Sequence, residues 1–231
     1  GEQVGAVNGG SAAPLASANR LAIETGGAGR TLNASLFTNF QQVVLNGDPG
    51  STGILRVSGA AAPTVAASLD TGGAAGSSIT VKQGGVALFQ QNSSMRAQTV
   101  TFEAGTTLSG IGTIYNGAGG TTTVAGTVAP GNSPGTLTID GNFNLTGTAN
   151  YELGQAGTAG GTLNDLIVVT QNLTLAGNYA VTQSAGGTFT NGLYTLFTYG
   201  GILGGPGLTL TGALPNGLTG VIDTSTVGRV Y

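Results

Sequence analysis

The sequence of 231 residues contains no cysteine and no histidine, and charged residues make up only 6% of it. Without cysteine the chain forms no disulfide and offers no thiolate to a substrate or a metal. Without histidine it lacks the general base of a Ser-His-Asp triad. The formal net charge is −3, and the six Lys and Arg residues are spread along the chain. Because there is no basic stripe, we expect no nucleic acid partner.

Long hydrophobic runs are also missing from the sequence. No stretch of about 20 apolar residues is present, so no segment is predicted to cross a bilayer as a helix. The first residues, Gly1 to Val4, are not a charged segment followed by an apolar run, and no signal peptide is predicted in this chain.

Glycine is abundant, with 44 positions, and the hydrophobic fraction is 39%. Glycine-rich, charge-poor sequences include disordered ones, but the dense Val, Ile, Leu and Thr runs provide apolar surface to bury, which favours an ordered fold. Low charge suits a stack of strands in register, because rungs about 4.8 Å apart place like charges directly above one another. The composition therefore favours stacked β-structure.

The most regular stretch covers residues 109–153, where short β-branched runs alternate with Gly and Asn turns. At its centre, residues 129–135 (APGNSPG) contain two prolines, which have no N–H to donate to a strand ladder. This segment is therefore predicted to connect two strands. On either side, residues 122–126 (TTVAG) and 137–141 (LTIDG) form the same small unit, in which two residues flank a Thr and a Gly closes the turn.

Residues 126–147 (GTVAPGNSPGTLTIDGNFNLTG) resemble the passenger domains of type V autotransporters of Gram-negative bacteria, near the end of the passenger. The later segments 164–169 (NDLIVV), 173–179 (LTLAGNY) and 192–201 (GLYTLFTYGG) are similar to the same family in the same order. The resemblance covers roughly residues 100–231, and it is weaker over residues 37–59.

This resemblance implies a right-handed parallel β-helix, exported through the periplasm to the cell surface. It also implies a separate outer-membrane barrel of the same protein as a partner, and we expect this chain to be a passenger fragment without its signal peptide and barrel. It implies no particular activity, because passengers include adhesins, proteases, esterases and toxins. The absence of cysteine suits such export, since a disulfide formed in the periplasm obstructs passage through a narrow pore.

The repeated unit begins at Ile79, Val100, Thr122, Leu137, Leu173 and Leu208, with spacings of 21, 22, 15, 36 and 35 residues. The first two spacings predict one solenoid turn each, and the last two are interpreted as two turns of about 18 residues. Residues 137–146 align with residues 173–182, and the alignment predicts that Phe143 and Tyr179 occupy one stacked ladder. Turns of about 20 residues predict roughly 11 turns and a rod near 50 Å long. The alternative is a sandwich of hairpins.

Two regions are expected within one elongated domain. Residues 1–99 are predicted to form less regular rungs, with residues 1–30 as coil or irregular rungs. Within this region we expect strands at residues 32–36 and 40–45, followed by a turn at residues 46–50 (NGDPG). Residues 100–231 are predicted to form the regular β-helix, ending in an aromatic-rich cap around Phe189, Tyr194, Phe197, Tyr199 and Tyr231. The resemblance implies that this end is an autochaperone-like segment that nucleates folding.

No catalytic, cofactor-binding or metal-ligating residue is predicted. Gly131 to Gly135 match the G-x-S-x-G pattern of serine hydrolases, but no histidine can activate Ser133, and Pro134 removes an amide of the oxyanion hole. The nine carboxylates are scattered and are interpreted as solvated turn residues. The alternative is a pair brought together by neighbouring rungs, for instance Asp140 with Asp165 or Glu103 with a neighbour. Metal and phosphate motifs are absent. The Thr-x-Thr pairs at 99/101, 136/138 and 209/211 are spaced too irregularly for an ice-binding face.

We therefore expect a non-enzymatic stalk that also adheres to host surface or matrix components or to copies of itself. The alternatives are a carbohydrate-active enzyme on a β-helix, which requires two facing carboxylates in a cleft, and a purely structural self-assembly module.

Overall fold

The computed structural model describes residues 7–8, 20–24, 30–33, 37–38, 42–46, 54–58, 68–71, 75–88 and 93–231. The strands are Val7–Asn8 (β1), Arg20–Glu24 (β2), Arg30–Asn33 (β3), Phe37–Thr38 (β4), Gln42–Asn46 (β5), Ile54–Ser58 (β6), Ser68–Asp70 (β7), Ser78–Val81 (β8), Gly85–Leu88 (β9), Ser94–Arg96 (β10), Thr99–Phe102 (β11), Thr107–Gly110 (β12) and Thr113–Tyr115 (β13). They continue with Thr121–Val124 (β14), Thr127–Pro130 (β15), Thr136–Asp140 (β16), Asn142–Leu145 (β17), Thr148–Leu153 (β18), Leu166–Val169 (β19), Leu173–Leu175 (β20), Asn178–Gln183 (β21), Phe197–Tyr199 (β22), Leu203–Gly204 (β23), Thr209–Leu210 (β24) and Arg229–Val230 (β25).

Strands that are three apart in the sequence pair with each other, in parallel except for β22 and β25, and this pairing builds three long sheets around one axis. Sheet I has the order β7-β10-β13-β16-β19-β22-β25, sheet II runs from β2 to β23 in steps of three, and sheet III runs from β3 to β24 in the same way. Strands β1 and β4 form a separate parallel pair. The fold class predicted from the sequence, an all-β parallel β-helix, is confirmed, and the hairpin sandwich is wrong because consecutive strands lie in different sheets.

The alternation of residues in each strand explains which face is buried. In β11, β14 and β17 the second and fourth residues point inward, and the first and third point outward as Thr or Asn. Inward side chains such as Val100, Phe102 and Phe143 have no exposed surface. The resulting core is a single hydrophobic column that follows the axis of the helix. The alternation along each strand thus determines which side chains are buried, and the turns determine where the chain bends from one sheet to the next.

Turn length is regular in the middle of the chain and longer at the C-terminal end. Ile79 pairs with Val100, Val100 with Thr122, and Thr122 with Phe143, which gives turns of 21, 22 and 21 residues. Phe143 then pairs with Leu173, and Leu173 with Leu203, so each of these turns takes 30 residues. The interpretation of the late spacings as double turns of about 18 residues was wrong.

The proposed ladder of Phe143 and Tyr179 was wrong for the same reason. Phe143 lies on β17 in sheet II, whereas Tyr179 lies on β21 in sheet III and pairs with Ala149 and Leu210. Within the described residues the longer sheets are eight strands deep, which corresponds to roughly 34 Å at about 4.8 Å per strand, against the roughly 50 Å expected from 11 turns.

The extra residues of the late turns all fall at one corner, between sheet III and sheet I. Three successive connections lie there: residues 131–135, residues 154–165 and residues 184–196. The second and third are stacked, since the Gly157 amide donates to the Leu193 carbonyl at 2.8 Å and the Thr188 amide to the Gly154 carbonyl at 2.8 Å. We call this edge of the molecule the loop corner.

The C-terminal end of the stack is closed by a strand of opposite direction. Strand β25 pairs antiparallel with β22, with Phe197 opposite Val230. A short 3-10 turn at Pro215–Gly217 precedes it, and Asp223 and Tyr231 exchange two backbone hydrogen bonds of 2.9 Å. The antiparallel strand covers the exposed edge that a terminal parallel strand otherwise presents.

The N-terminal predictions are met only in part by the described residues. Arg20–Glu24 is a regular strand in register with Gln42–Asn46, so residues 1–30 contain at least one ordered rung. The predicted strands at 32–36 and 40–45 correspond to Arg30–Asn33 and Gln42–Asn46. Of the predicted turn at residues 46–50, Asn46 is the last residue of β5, and residues 47–50 lie outside the described residues. The division at residue 99 stays a prediction. No helix in the described ranges is long and apolar enough to cross a membrane.

Candidate functional site

The loop at residues 131–135 is the first feature of the loop corner. It connects β15 and β16, but it is shorter than the predicted connection of residues 129–135, because Ala129 and Pro130 form the end of β15. Gly131 has φ of +93°, and a Cβ on it would lie 2.5 Å from Asp165 Oδ1. Only glycine fits such a position, because the backbone is left-handed and the space is filled. The loop is therefore packed tightly against Asp165.

Asp165 fixes this loop to the rest of the corner. Its side chain is 1% exposed, and its two oxygens accept the Gly135 amide and the Glu152 amide, each at 2.7 Å. Burial raises the pKa of Asp165 to about 7; the two amide donors lower it less than burial raises it, and the charge of Glu152 raises it further. The interpretation of Asp165 as a solvated turn residue was wrong.

Asn164, immediately before it, organises the next loop. Its Oδ1 accepts the amides of Gly154 and Gln155 at 2.9 and 3.0 Å, and its Nδ2 donates to the carbonyls of Gln155 and Thr158 at 2.7 Å each. Asn164 uses all of the hydrogen-bonding capacity that one amide supplies to this loop. The Asn-Asp pair thus holds two loops with two adjacent side chains, and the only sequence signal for it is a polar pair directly before the buried strand Leu166–Val169.

The predicted approach of Asp140 to Asp165 does not hold. Asp140 accepts the Thr170 hydroxyl at 2.8 Å, on an exposed part of the surface. Asp165 instead borders a cleft together with Glu152, and the volume of this cleft is about 410 Å³. Two acids in one cleft are the feature expected of a glycosidase, but both Asp165 oxygens are engaged by amides and the side chain has almost no exposed surface. Asp165 therefore has the geometry of a structural clamp, to which Glu152 contributes only its backbone amide.

Ser133 borders the same cleft from the loop side. It has φ of +78°, a left-handed conformation that is uncommon for a residue with a side chain. Strained residues of this kind collect at functional sites, yet the chain holds no histidine to accept the hydroxyl proton. Ser133 therefore borders the cleft as a polar residue without a histidine to activate it. Within the described residues, no cluster of three or more Asp and Glu side chains is arranged to hold a metal ion.

The outer face of sheet II carries the Thr-x-Thr feature. The pairs at 99/101 and 121/123 lie on adjacent strands in register, with Ser78 and Thr80 on one side and Asn142 and Asn144 on the other. The outward Thr, Ser and Asn residues are thus regularly spaced on this face, although only one of the three pairs named from the sequence lies here. The other two pairs lie elsewhere, because Thr136 and Thr138 belong to β16 in sheet I and Thr209 begins β24 in sheet III.

The C-terminal cap encloses a second cavity of about 300 Å³, lined mainly by apolar side chains. Phe189 and Tyr194 stack there with ring centres 4.5 Å apart, and Phe197 packs edge-on against Tyr151 at 5.9 Å. The Tyr151 hydroxyl donates to the Leu196 carbonyl at 3.2 Å, and burial, followed by the charge of Asp165, raises the pKa of Tyr151 well above its ordinary value. The aromatic cluster predicted at this end is present and joins the cap to the last turns.

The chain is similar to the adhesin BmaC autotransporter of Brucella suis biovar 1 (strain 1330), with 49% identity over 108 residues. The match covers 46% of this chain and 3% of that protein, so the chain spans only a small part of this relative's length. No family model matches the sequence, and no solved structure matches it significantly. The resemblance predicted from the sequence is confirmed at this level: over 108 residues the chain is similar to part of an autotransporter adhesin, as an autotransporter passenger is expected to be.

Proposed function

We propose that this chain is a cell-surface passenger segment that serves as a stalk, takes part in adhesion to host surface or matrix components or to further copies of itself, and nucleates folding at its C-terminal end. The observation that carries the proposal is the uninterrupted parallel stack of sheets II and III, combined with the similarity to an autotransporter adhesin. Export to the cell surface and an outer-membrane barrel elsewhere in the protein are parts of the same proposal.

The stalk role follows from how such a stack bears load and resists proteases. Each turn contacts only its neighbours, and stability grows with the number of stacked turns. Inward residues such as Ile79, Val100 and Leu145 are without exposed surface, and buried apolar area contributes about 25 cal/mol per Å². The outward residues are mainly uncharged Thr, Asn and Ser, which stack without repulsion.

The adhesion role is tested with the whole chain. Purified protein is immobilised on beads, and binding to cultured cells and matrix proteins is compared with beads that carry the heat-unfolded chain. Specific binding that saturates supports the proposal. Binding that is equal for folded and unfolded chains, or absent from both while the protein sediments as a monomer at all concentrations, contradicts adhesion and self-association.

The nucleation role is tested with a matched pair of core substitutions, Phe197→Ala and Phe102→Ala. Both side chains have no exposed surface, and each loss costs about 3–5 kcal/mol of unfolding free energy. Phe197 contacts Phe143 and Tyr151 at the C-terminal end, whereas Phe102 lies near the middle. If the C-terminal end forms first, Phe197→Ala slows refolding and Phe102→Ala mainly accelerates unfolding. The reverse pattern in stopped-flow kinetics rules out C-terminal nucleation.

A further inference from the structure

The cleft beside Asp165 lies on the outer face of sheet III, where the loop 131–135 leaves the stack. Its floor is made by small residues, Ala129 on β15 and Ala180 on β21, and its volume is about 410 Å³. The two alanines lie in register on either side of Asn150 of β18, and their small side chains leave a depression on each side of it. A volume of this size is within the range of pockets that hold small ligands.

The walls of the cleft are rigid. Asp165 accepts the amide of Gly135 on the loop and the amide of Glu152 on β18, so one buried side chain ties both walls together. Glu152 is in turn in register with Thr182 on β21. A site held in place before the ligand arrives loses little entropy on binding.

The rim is polar and carries a single negative charge on an accessible side chain. Ser133, Asn150, Glu152 and Thr182 border the opening, and no Lys or Arg lines the cleft. The side chains of Ser133, Asn150 and Glu152 form no hydrogen bond to another described residue, so their donors and acceptors face solvent. The alanine methyl groups supply the apolar part.

We infer that this cleft binds an uncharged sugar residue of a glycan. A sugar ring has apolar C–H faces, which suit the alanine floor, and hydroxyl groups, which suit the amide, hydroxyl and carboxylate groups of the rim. The Glu152 carboxylate accepts two hydroxyl hydrogens as charge-assisted hydrogen bonds, and it repels the carboxylate of an acidic sugar. The site therefore selects neutral over sialylated glycans. This inference rests on the proposed adhesion and names its ligand class.

The experiment is saturation-transfer difference NMR on the whole chain with three probes: lactose, the trimer of N-acetylglucosamine and 3′-sialyllactose. We expect a signal from at least one neutral probe and, at equal concentration, a signal at least tenfold weaker from 3′-sialyllactose. Ala180→Leu fills the floor and should abolish the signal. Thr123→Leu, the control, places the same side chain at an outward strand position on sheet II and should leave the signal unchanged.

A second variant keeps the test decisive if Ala180→Leu fails to fold, as judged by circular dichroism. Glu152→Gln keeps the shape of the side chain but removes its charge. We expect it to weaken binding of the neutral probes about tenfold and to reduce the difference in binding between these probes and 3′-sialyllactose. The inference is overturned if no neutral probe binds, if 3′-sialyllactose binds best, or if Ala180→Leu or Glu152→Gln binds as well as the native chain. Cell binding that persists in a folded Ala180→Leu chain overturns this site but leaves the proposed adhesion in place.

Discussion

The titration of Asp165 should make this fold less stable as the pH rises through neutrality. The pKa of its carboxyl group is about 7 in the folded protein against 3.8 for the free side chain, so the folded state keeps the proton over a range in which the unfolded state has lost it. The state that binds more protons is favoured by acid, and the stabilisation is therefore complete below about pH 4 and lost as the pH passes 7. A difference of about three units corresponds to about 4 kcal/mol.

The variant Asp165→Asn isolates this effect, because an amide of nearly the same shape does not titrate. It keeps one acceptor for the two amides of Gly135 and Glu152, so it should be less stable than the native chain at acid pH. Its stability should also change less with pH. Glu103→Gln, which removes an exposed carboxylate elsewhere, should leave the pH dependence as it is in the native chain.

The assay is urea unfolding followed by circular dichroism, since the chain contains no tryptophan. Measurements from pH 5 to 8 avoid the region near the pI of about 4.6, where a low net charge favours association. Across this range the native chain should lose about 3 kcal/mol relative to Asp165→Asn. If the free energies of unfolding of the two proteins changed in parallel with pH, the conclusion that burial raises the pKa of Asp165 would be refuted. A native chain that gains stability relative to Asp165→Asn would show that the amide donors dominate and hold the pKa low.

Two further substitutions test the packing of the loop corner. Gly131→Ala adds a methyl group 2.5 Å from Asp165 Oδ1 at a left-handed position. It should lower the free energy of unfolding by about 1–3 kcal/mol more than Gly105→Ala, since Gly105 has φ of +82° but open space around it. Equal losses of stability in urea unfolding would contradict the close packing at Gly131. Asn164→Ala removes four hydrogen bonds and should lower the free energy of unfolding by about 2–4 kcal/mol, with faster hydrogen exchange at the Gly154 amide. A loss no greater than that of Asn144→Ala would show that the loop keeps its conformation without Asn164.

Much of the fold could be predicted from local pattern. Alternation in residues 99–102, 121–124 and 142–145 gives short strands with one buried face, and the prolines of residues 129–135 mark a connection. What the pattern could not supply is the sheet to which each strand belongs. Leu137 and Leu173 begin similar units, yet Leu137 lies in sheet I and Leu173 in sheet II, because the loop of residues 154–165 lengthens the intervening turn.

The candidate site was less predictable than the fold. Glu152 and Asp165 are 13 residues apart, and their shared cleft depends on where four strands of sheet III meet the loop 131–135. The regular Thr array of sheet II was missed for a related reason. Its members are in register only on that face, whereas the Thr-x-Thr pairs read along the sequence come from three different sheets.

The sequence by itself determined that the chain forms stacked, charge-poor strands with tight glycine turns, because alternation and turn chemistry act over a few residues. The tertiary structure alone decided the register of the late turns, the burial of Asp165 and the composition of the cleft. Register depends on the summed length of every loop between two strands, and desolvation depends on atoms brought from residues 13 to 30 positions away.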